Sequence, residues 1–258
     1  MPPTNQETNM KILIAGGNGL IGKKLAALLE KSGHQIVSAS RSSGVDLVTG
    51  EGLEEAIQGI EAVVDVLNSP SFEDQAVLEF FQATSTNLLR VETAAGVKHH
   101  VALSVVGSDR VPDSGYLRAK VAQENLIQAA GVPFTIVRAT QFFEFAPGIA
   151  QFSMVDGRCR LPAATMQPVA ADDVADCLAR VVSAAPRREI VELGGPEKIR
   201  LDKFVGRYLT VAGGGHEIEI DPAATYFGAS IDDASLVPQG AAILGSIRYQ
   251  NWLDNRRF

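Results

Sequence analysis

Short apolar runs alternate with longer stretches of helical spacing along the first 140 residues. Residues 12–15 are apolar, and residues 23–30 follow with apolar positions at helical intervals. Residues 35–40 read as a second strand, 45–48 as a short third strand and 51–58 as a short helix. Residues 62–67 form a fourth strand. A long helical pattern then covers 73–95 and stops at Gly96. Residues 100–104 make a fifth strand, about 116–130 a helix, and 134–138 a sixth strand. Strict strand–helix alternation predicts an α/β fold, a doubly wound parallel sheet with helices on both faces.

Past residue 140 the rhythm changes. Residues 141–151 are rich in aromatics, 158–161 read as a strand, and 167–170 are short and extended. Helices are expected at 171–184 and 201–211, and strands at 188–194 and 217–220. Residues from Pro238 onward read as helical. The expected organisation is a disordered tail at 1–10, a nucleotide-binding domain at 11–140, and a small C-terminal substrate lobe at 141–258. The lobe packs on the domain to make one unit.

The join between the first strand and first helix carries Gly16, Gly19 and Gly22, a G-x-x-G-x-x-G spacing. The spacing alone is a weak signal, but its context is strand, turn and helix. Glycine lets such a turn bend sharply and approach a phosphate, which the free N–H groups of the next helix then hold. In open parallel sheets, ligands bind beyond the carboxyl ends of the strands. That edge gathers the candidate nucleotide contacts: Gly16, Asn18, Gly19, Leu20, Ile21 and Gly22, then Ser40, Arg41, Ser42 and Asp46, then Asn68, Ser69, Ser104, Lys120, Ala139 and Thr140. The second strand ends in Ser40, Arg41 and Ser42, without the carboxylate that holds a ribose 2′-hydroxyl. Arginine and serine there suit a 2′-phosphate, so NADP(H) is expected over NAD(H).

Tyr116 and Lys120 lie four residues apart and share one helix face. An ammonium beside a phenol lowers the phenol pKa and prepares it for proton transfer to a carbonyl oxygen. Lys120 is also placed to hold the nicotinamide ribose, and Ser104 the same carbonyl oxygen.

The segments 14–22, 102–107, 115–120, 132–140 and 169–175 resemble the short-chain dehydrogenase/reductase superfamily, and more narrowly its atypical NmrA-like NAD(P)H-binding branch. The resemblance covers most of residues 11–195. It implies a Rossmann-like fold and NAD(P)H binding, with reductases, sugar-nucleotide epimerase relatives and non-catalytic sensors among its members. The superfamily often uses an asparagine in the helix after the fourth strand. Asn87 lies late in that helix here, and Phe81 is nearer the expected turn.

Composition removes other classes. The net charge of -7 gives no electrostatic ground for a nucleic-acid or anionic-membrane partner. Cys159 and Cys177, and His34, His99, His100 and His216, lack metal-ligand spacing, so no metal is expected. No apolar run approaches the roughly 20 residues that span a bilayer. No signal peptide is visible, and a cytoplasmic location is the default. The expected function is an NADPH-dependent oxidoreductase acting on a small carbonyl or quinone. Phe142, Phe143, Phe145, Tyr226 and Phe227 would wall an apolar or aromatic substrate. Alternatives are a non-catalytic NADP(H) sensor and a sugar-nucleotide epimerase or dehydratase. The last would use Arg138, Arg158 and Arg160 on a second diphosphate.

Overall fold

Nearly every residue of the first strand, β1 (Lys11–Ala15), is buried, because helices cover both faces of the sheet to which it belongs. The structure is a computed structural model that describes residues 9–214 and 217–256. The expected tail at 1–10 lies almost wholly outside the described residues, as does His216. In chain order the helix α1 (Leu20–Lys31) leads to β2 (Gln35–Ala39), α2 (Leu53–Ala56) and β3 (Ala62–Asp65). Then come α3 (Asp74–Ala95), β4 (His99–Val105), α4 (Gly115–Ala129) and β5 (Phe134–Ala139).

The second half contributes α5 (Ala146–Phe152), β6 (Met154–Val155), β7 (Arg158–Leu161), β8 (Thr165–Met166) and α6 (Ala171–Ser183). It continues with β9 (Ile190–Gly194), β10 (Ile199–Arg200), α7 (Leu201–Val211), β11 (Ile218–Ile220), β12 (Ile243–Leu244) and α8 (Tyr249–Asp254). Among the described residues the central sheet has seven strands in the order β12-β9-β5-β4-β3-β1-β2, all parallel.

Alternate residues of these strands feed opposite cores, as a pleated strand requires. Ile12, Ile14, Val64 and Val137 pack with Leu25 and Leu29 of α1 and with Val174 and Leu178 of α6. Leu13, Ala15 and Val63 pack instead with Leu53 of α2 and with Leu88 and Val91 of α3. A separate core joins α5, α7 and α8 around Phe143, Phe204, Tyr249 and Trp252.

Two expected elements are corrected. Residues 45–48 form no strand. The Asp46 carboxylate accepts the Val48 N–H at 2.8 Å, which folds this stretch into a local turn instead of a ladder. From Pro238 onward the chain is helical only in α8. Ile243 and Leu244 instead pair with Leu193 and Gly194 as an edge strand, and Gly245 separates them from the helix. The sheet therefore extends beyond residues 11–140, because α6, β9 and β12 all return to it.

Candidate functional site

The connections from β1 and β3 leave the sheet in opposite directions, so the glycine turn lies at the topological switch point. Gly16 has φ +86, and a Cβ there would meet the Val66 carbonyl oxygen at 3.0 Å. The turn thus closes directly on the chain leaving β3. A Cβ on Gly22 would strike the Gly16 oxygen and the Gly17 backbone. Gly17, which the three-glycine spacing passes over, packs against Ser38 with no room for a side chain. Gly19 caps α1 without any side-chain hydrogen bond to the helix, and the first turn contains no acidic residue. An uncapped helix start behind a close-packed glycine cradle fits a pyrophosphate.

Beside the cradle, Asn18 Nδ2 donates to Ser40 Oγ and to Ser42 Oγ, both at 2.9 Å. Three of the expected nucleotide contacts are therefore linked to one another. Arg41 is exposed, and its Nε donates to Asp46 Oδ2 at 2.9 Å. The Val48 N–H, then the Thr49 N–H and Arg41, hold the Asp46 carboxyl below the ordinary range against a burial penalty. Asp46 is thus a partner of Arg41 and not the start of a strand.

Two residues past Val66, Asn68 Oδ1 accepts the Tyr116 hydroxyl at 3.0 Å. The Tyr116 ring lies 5.6 Å from Phe72, which is 68% exposed, and 6.1 Å from buried Phe81. Burial pushes the phenol up to about 12. The Lys120 ammonium, expected to lower it, faces other partners. The Lys120 ammonium is buried and turned to the Leu103 carbonyl at 2.9 Å and to Gln123. Burial lowers it to about 8, against the opposing pull of Asp65 and Glu124.

The structure does not join Ser104 to Tyr116. Ser104 is buried and its hydroxyl donates to Glu124, whose carboxylate also holds Arg138 Nε at 2.9 Å and Nη2 at 2.6 Å. Thr140 Oγ1 donates to the Gln167 carbonyl at 2.6 Å, and the Ala139 carbonyl accepts the Val106 N–H at 2.9 Å. Ser69 is buried and its hydroxyl accepts the Ser71 N–H at 3.2 Å. Asn87 donates to the carbonyls of Leu47 and Val48 and so braces the turn after β2.

The expected aromatic wall divides. Phe143 is fully buried against Tyr249 and Trp252, so it belongs to the core of α5, α7 and α8 and not to a substrate wall. Phe142 stacks on Phe145, with ring centroids 5.1 Å apart. Tyr226 meets Phe227 edge-on, and Phe227 lies over Phe152. Ile231 packs both in that core and in the cluster around Tyr116, linking the lobe to the site.

Sequence reasoning passed over Phe72, Asp65, Gln123 and Glu124. Gln123 and Glu124 were findable, since they follow Lys120 by three and four residues on its helix face. The charged groups proposed for a second diphosphate are committed elsewhere. Arg138 pairs with Glu124 and Asp109, Arg158 with Glu217 and Glu219, and Arg160 with Glu219. A cleft of about 670 Å³ opens along β5, β9 and β12, lined by Asp109, Arg138, Glu192 and Ile243 among others. No residue of the glycine turn lines it. Among the described residues no His, Cys, Asp and Glu cluster suits a metal ion. No described helix is long and apolar enough to cross a membrane.

A parallel sheet with a glycine cradle and an uncapped helix start at its switch point defines a Rossmann-like nucleotide-binding protein. The NAD(P)H-binding family matches residues 16–185, and the chain belongs to that family, as an atypical NmrA-like short-chain dehydrogenase/reductase. It is 23% identical to the photosystem II assembly factor Ycf39 of Synechocystis sp. over 67% of this chain and 58% of that protein. It is 28% identical to isoflavone reductase homolog A622 of Nicotiana tabacum over 55% and 52% respectively. The chain thus spans little more than half the length of these curated relatives. The crystal structure of dTDP-4-dehydrorhamnose reductase from Bacillus anthracis with NADP superposes with a TM-score of 0.71. It is 15% identical, and the superposition covers 96% of this chain and 98% of that one, a likeness of fold.

Proposed function

We propose that the chain is an NADPH-dependent reductase of a small, apolar carbonyl or quinone. The observation that carries this reading is the Tyr116 hydroxyl, a hydrogen-bond donor to Asn68, two residues past the Val66 carbonyl on which the glycine turn closes, with the exposed Phe72 ring beside it. Bound NADPH would supply a hydride. Tyr116 would then stabilise or protonate the oxygen that gains charge, and Phe72 would cover the face of a planar substrate. Arg41, Ser40 and Ser42 would hold the 2′-phosphate. The nearby carboxylate, Asp46, is already paired with Arg41. The pairing of Arg138, Arg158 and Arg160 with carboxylates counts against a sugar-nucleotide substrate.

A second reading is a protein that binds NADP(H) and reports it without turnover. It is favoured by the commitment of the Ser104 hydroxyl and the Lys120 ammonium to buried partners. One experiment separates the two. NADPH and NADH binding are measured calorimetrically, and NADPH oxidation is followed over a panel of quinones and aldehydes. The reductase reading expects turnover that falls about 100-fold or more on an aldehyde in Tyr116→Phe. It also expects NADPH affinity to fall about 10- to 100-fold in Arg41→Asp, with NADH affinity little changed. Tight NADPH binding without turnover on any acceptor selects the sensor. Unchanged NADPH affinity in Arg41→Asp removes the cofactor preference.

A further inference from the structure

Asn68 Oδ1 receives two donors, the Tyr116 hydroxyl at 3.0 Å and the Ser69 N–H at 3.0 Å. A backbone N–H can only donate. The amide atom facing it is therefore the oxygen, and the phenol is the donor in the other bond. The turn that carries Asn68 is tied down along its length. The Leu67 N–H donates to Asp65 at 3.0 Å, the Ser71 N–H to Ser69 Oγ at 3.2 Å, and the Glu73 N–H to Ser71 Oγ at 3.2 Å.

Lys120 is placed differently. An ammonium has three N–H bonds. Three partners surround this one: the Leu103 carbonyl at 2.9 Å, the Gln123 side-chain oxygen, and the Phe81 ring face at 4.4 Å from its centroid. Gln123 passes the contact on by donating to Asp65 at 2.8 Å. The Lys120 ammonium thus faces partners inside the protein, on α3, α4 and β4.

We propose that Asn68 is the positioning residue of the Tyr116 hydroxyl, and that Lys120 is a structural cation that locks α4 onto the sheet. The inference rests on the reading of Tyr116 as the donor in the proposed reduction. An acceptor on the phenol proton favours the neutral form, whereas an adjacent ammonium favours phenolate. The two residues therefore make opposite predictions for one observable.

The observable is the titration of residue 116. A fluorinated tyrosine installed there titrates in a range that the folded protein tolerates, and 19F NMR follows it alone. Asn68→Ala is expected to raise the acid constant by about tenfold, the worth of one hydrogen bond. Asn68→Asp is expected to lower it. Lys120→Met, with Lys120→Gln as a second variant that keeps a donor for Leu103, is expected to change it by less than Asn68→Ala does. A larger effect at Lys120 than at Asn68 overturns the assignment.

Steady-state rates supply the second readout. For a quinone or aldehyde acceptor, Asn68→Ala is expected to lower kcat while the KM for NADPH stays unchanged. The titration requires no turnover. A chain that reduces no acceptor yet gives the expected midpoints loses the reductase reading and keeps the Asn68 assignment. A chain that turns over but lacks the Asn68 effect keeps the reductase reading and loses the assignment.

Discussion

His99 is the side chain most exposed to acid in its consequences, although water barely reaches it. It is buried in β4, with Nε2 within 3.0 Å of Thr135 Oγ1. Burial, reinforced by His100, lowers its pKa from 6.5 to about 4. In the unfolded chain it takes up a proton near its ordinary value. Between pH 6.5 and 4 the unfolded state therefore binds more protons, and folding stability falls as pH drops through that window. At pH 5 the loss attributable to His99 is about 2 kcal/mol. Urea unfolding at pH 7 and pH 5 of the wild type and of His99→Gln measures it, and the drop in pH should cost the variant about 2 kcal/mol less. An undiminished difference in that variant would count against the buried neutral imidazole. The candidate residues Tyr116, Lys120, Ser104 and the glycines could be named by type and spacing, but Ser104 and Lys120 turn to other partners than Tyr116. Those partners were not legible, because competition decides them. Asp65 arrives from β3, more than fifty residues upstream, and draws Gln123 and Lys120 inward. Glu124 takes the Ser104 hydroxyl because it also has Arg138 to balance.

At the scale of elements, the glycine turn tolerates no added methyl at its close contacts. Gly22→Ala would drive a methyl into the Gly16 carbonyl and the Gly17 backbone, where no flexible side chain can yield. The variant is expected to lose NADPH binding by at least 100-fold and to melt several degrees lower, an overpacking cost of about 1–3 kcal/mol. Calorimetric titration and thermal unfolding check both. Gly33→Ala is the control: a Cβ there would meet nothing within 4 Å, although its φ of +89 carries a strain of its own. Helices with strong amphipathic periodicity were readable almost to the residue. The helix expected at 73–95 spans Asp74–Ala95, and that at 201–211 spans Leu201–Val211. The failures are short apolar stretches, where periodicity carries little information. At 45–48 a side chain competed successfully for the backbone N–H groups. At 243–244 two residues found a vacant strand edge that only the assembled sheet supplies.

The sheet carries a core on each face, and a separate core lies among α5, α7 and α8. The sequence holds one tryptophan, Trp252. It lies in the core of α5, α7 and α8, where its Nε1 donates to Glu144 and the Arg256 guanidinium covers its ring at 4.1 Å. Glu144 also accepts the Ala171 N–H at the start of α6, which packs on the central sheet. Asp173, in the first turn of α6, holds the N–H groups of Ser246 and Ile247 at 3.1 and 3.0 Å. Such cross-links predict one cooperative unit. Tryptophan emission, which reports the lobe, and far-UV circular dichroism, which reports mostly the nucleotide-binding half, should follow one urea transition. Two separated midpoints would show that the lobe melts alone.

Leu193–Gly194 and Ile243–Leu244 are sheet neighbours, yet the chain between them carries α7, β10 and β11. The two ends of residues 195–242 therefore lie on neighbouring parallel strands, offset along them by three residues, roughly 11 Å apart. Closing so short a gap costs little more for a long insert than for a brief one, since the entropy grows only with the logarithm of length. The segment is a graft point. A differently sized lobe could be spliced between the same two strands without disturbing the nucleotide cradle at the far side of the sheet, provided that it brought its own apolar face to meet Phe143, Tyr249 and Trp252.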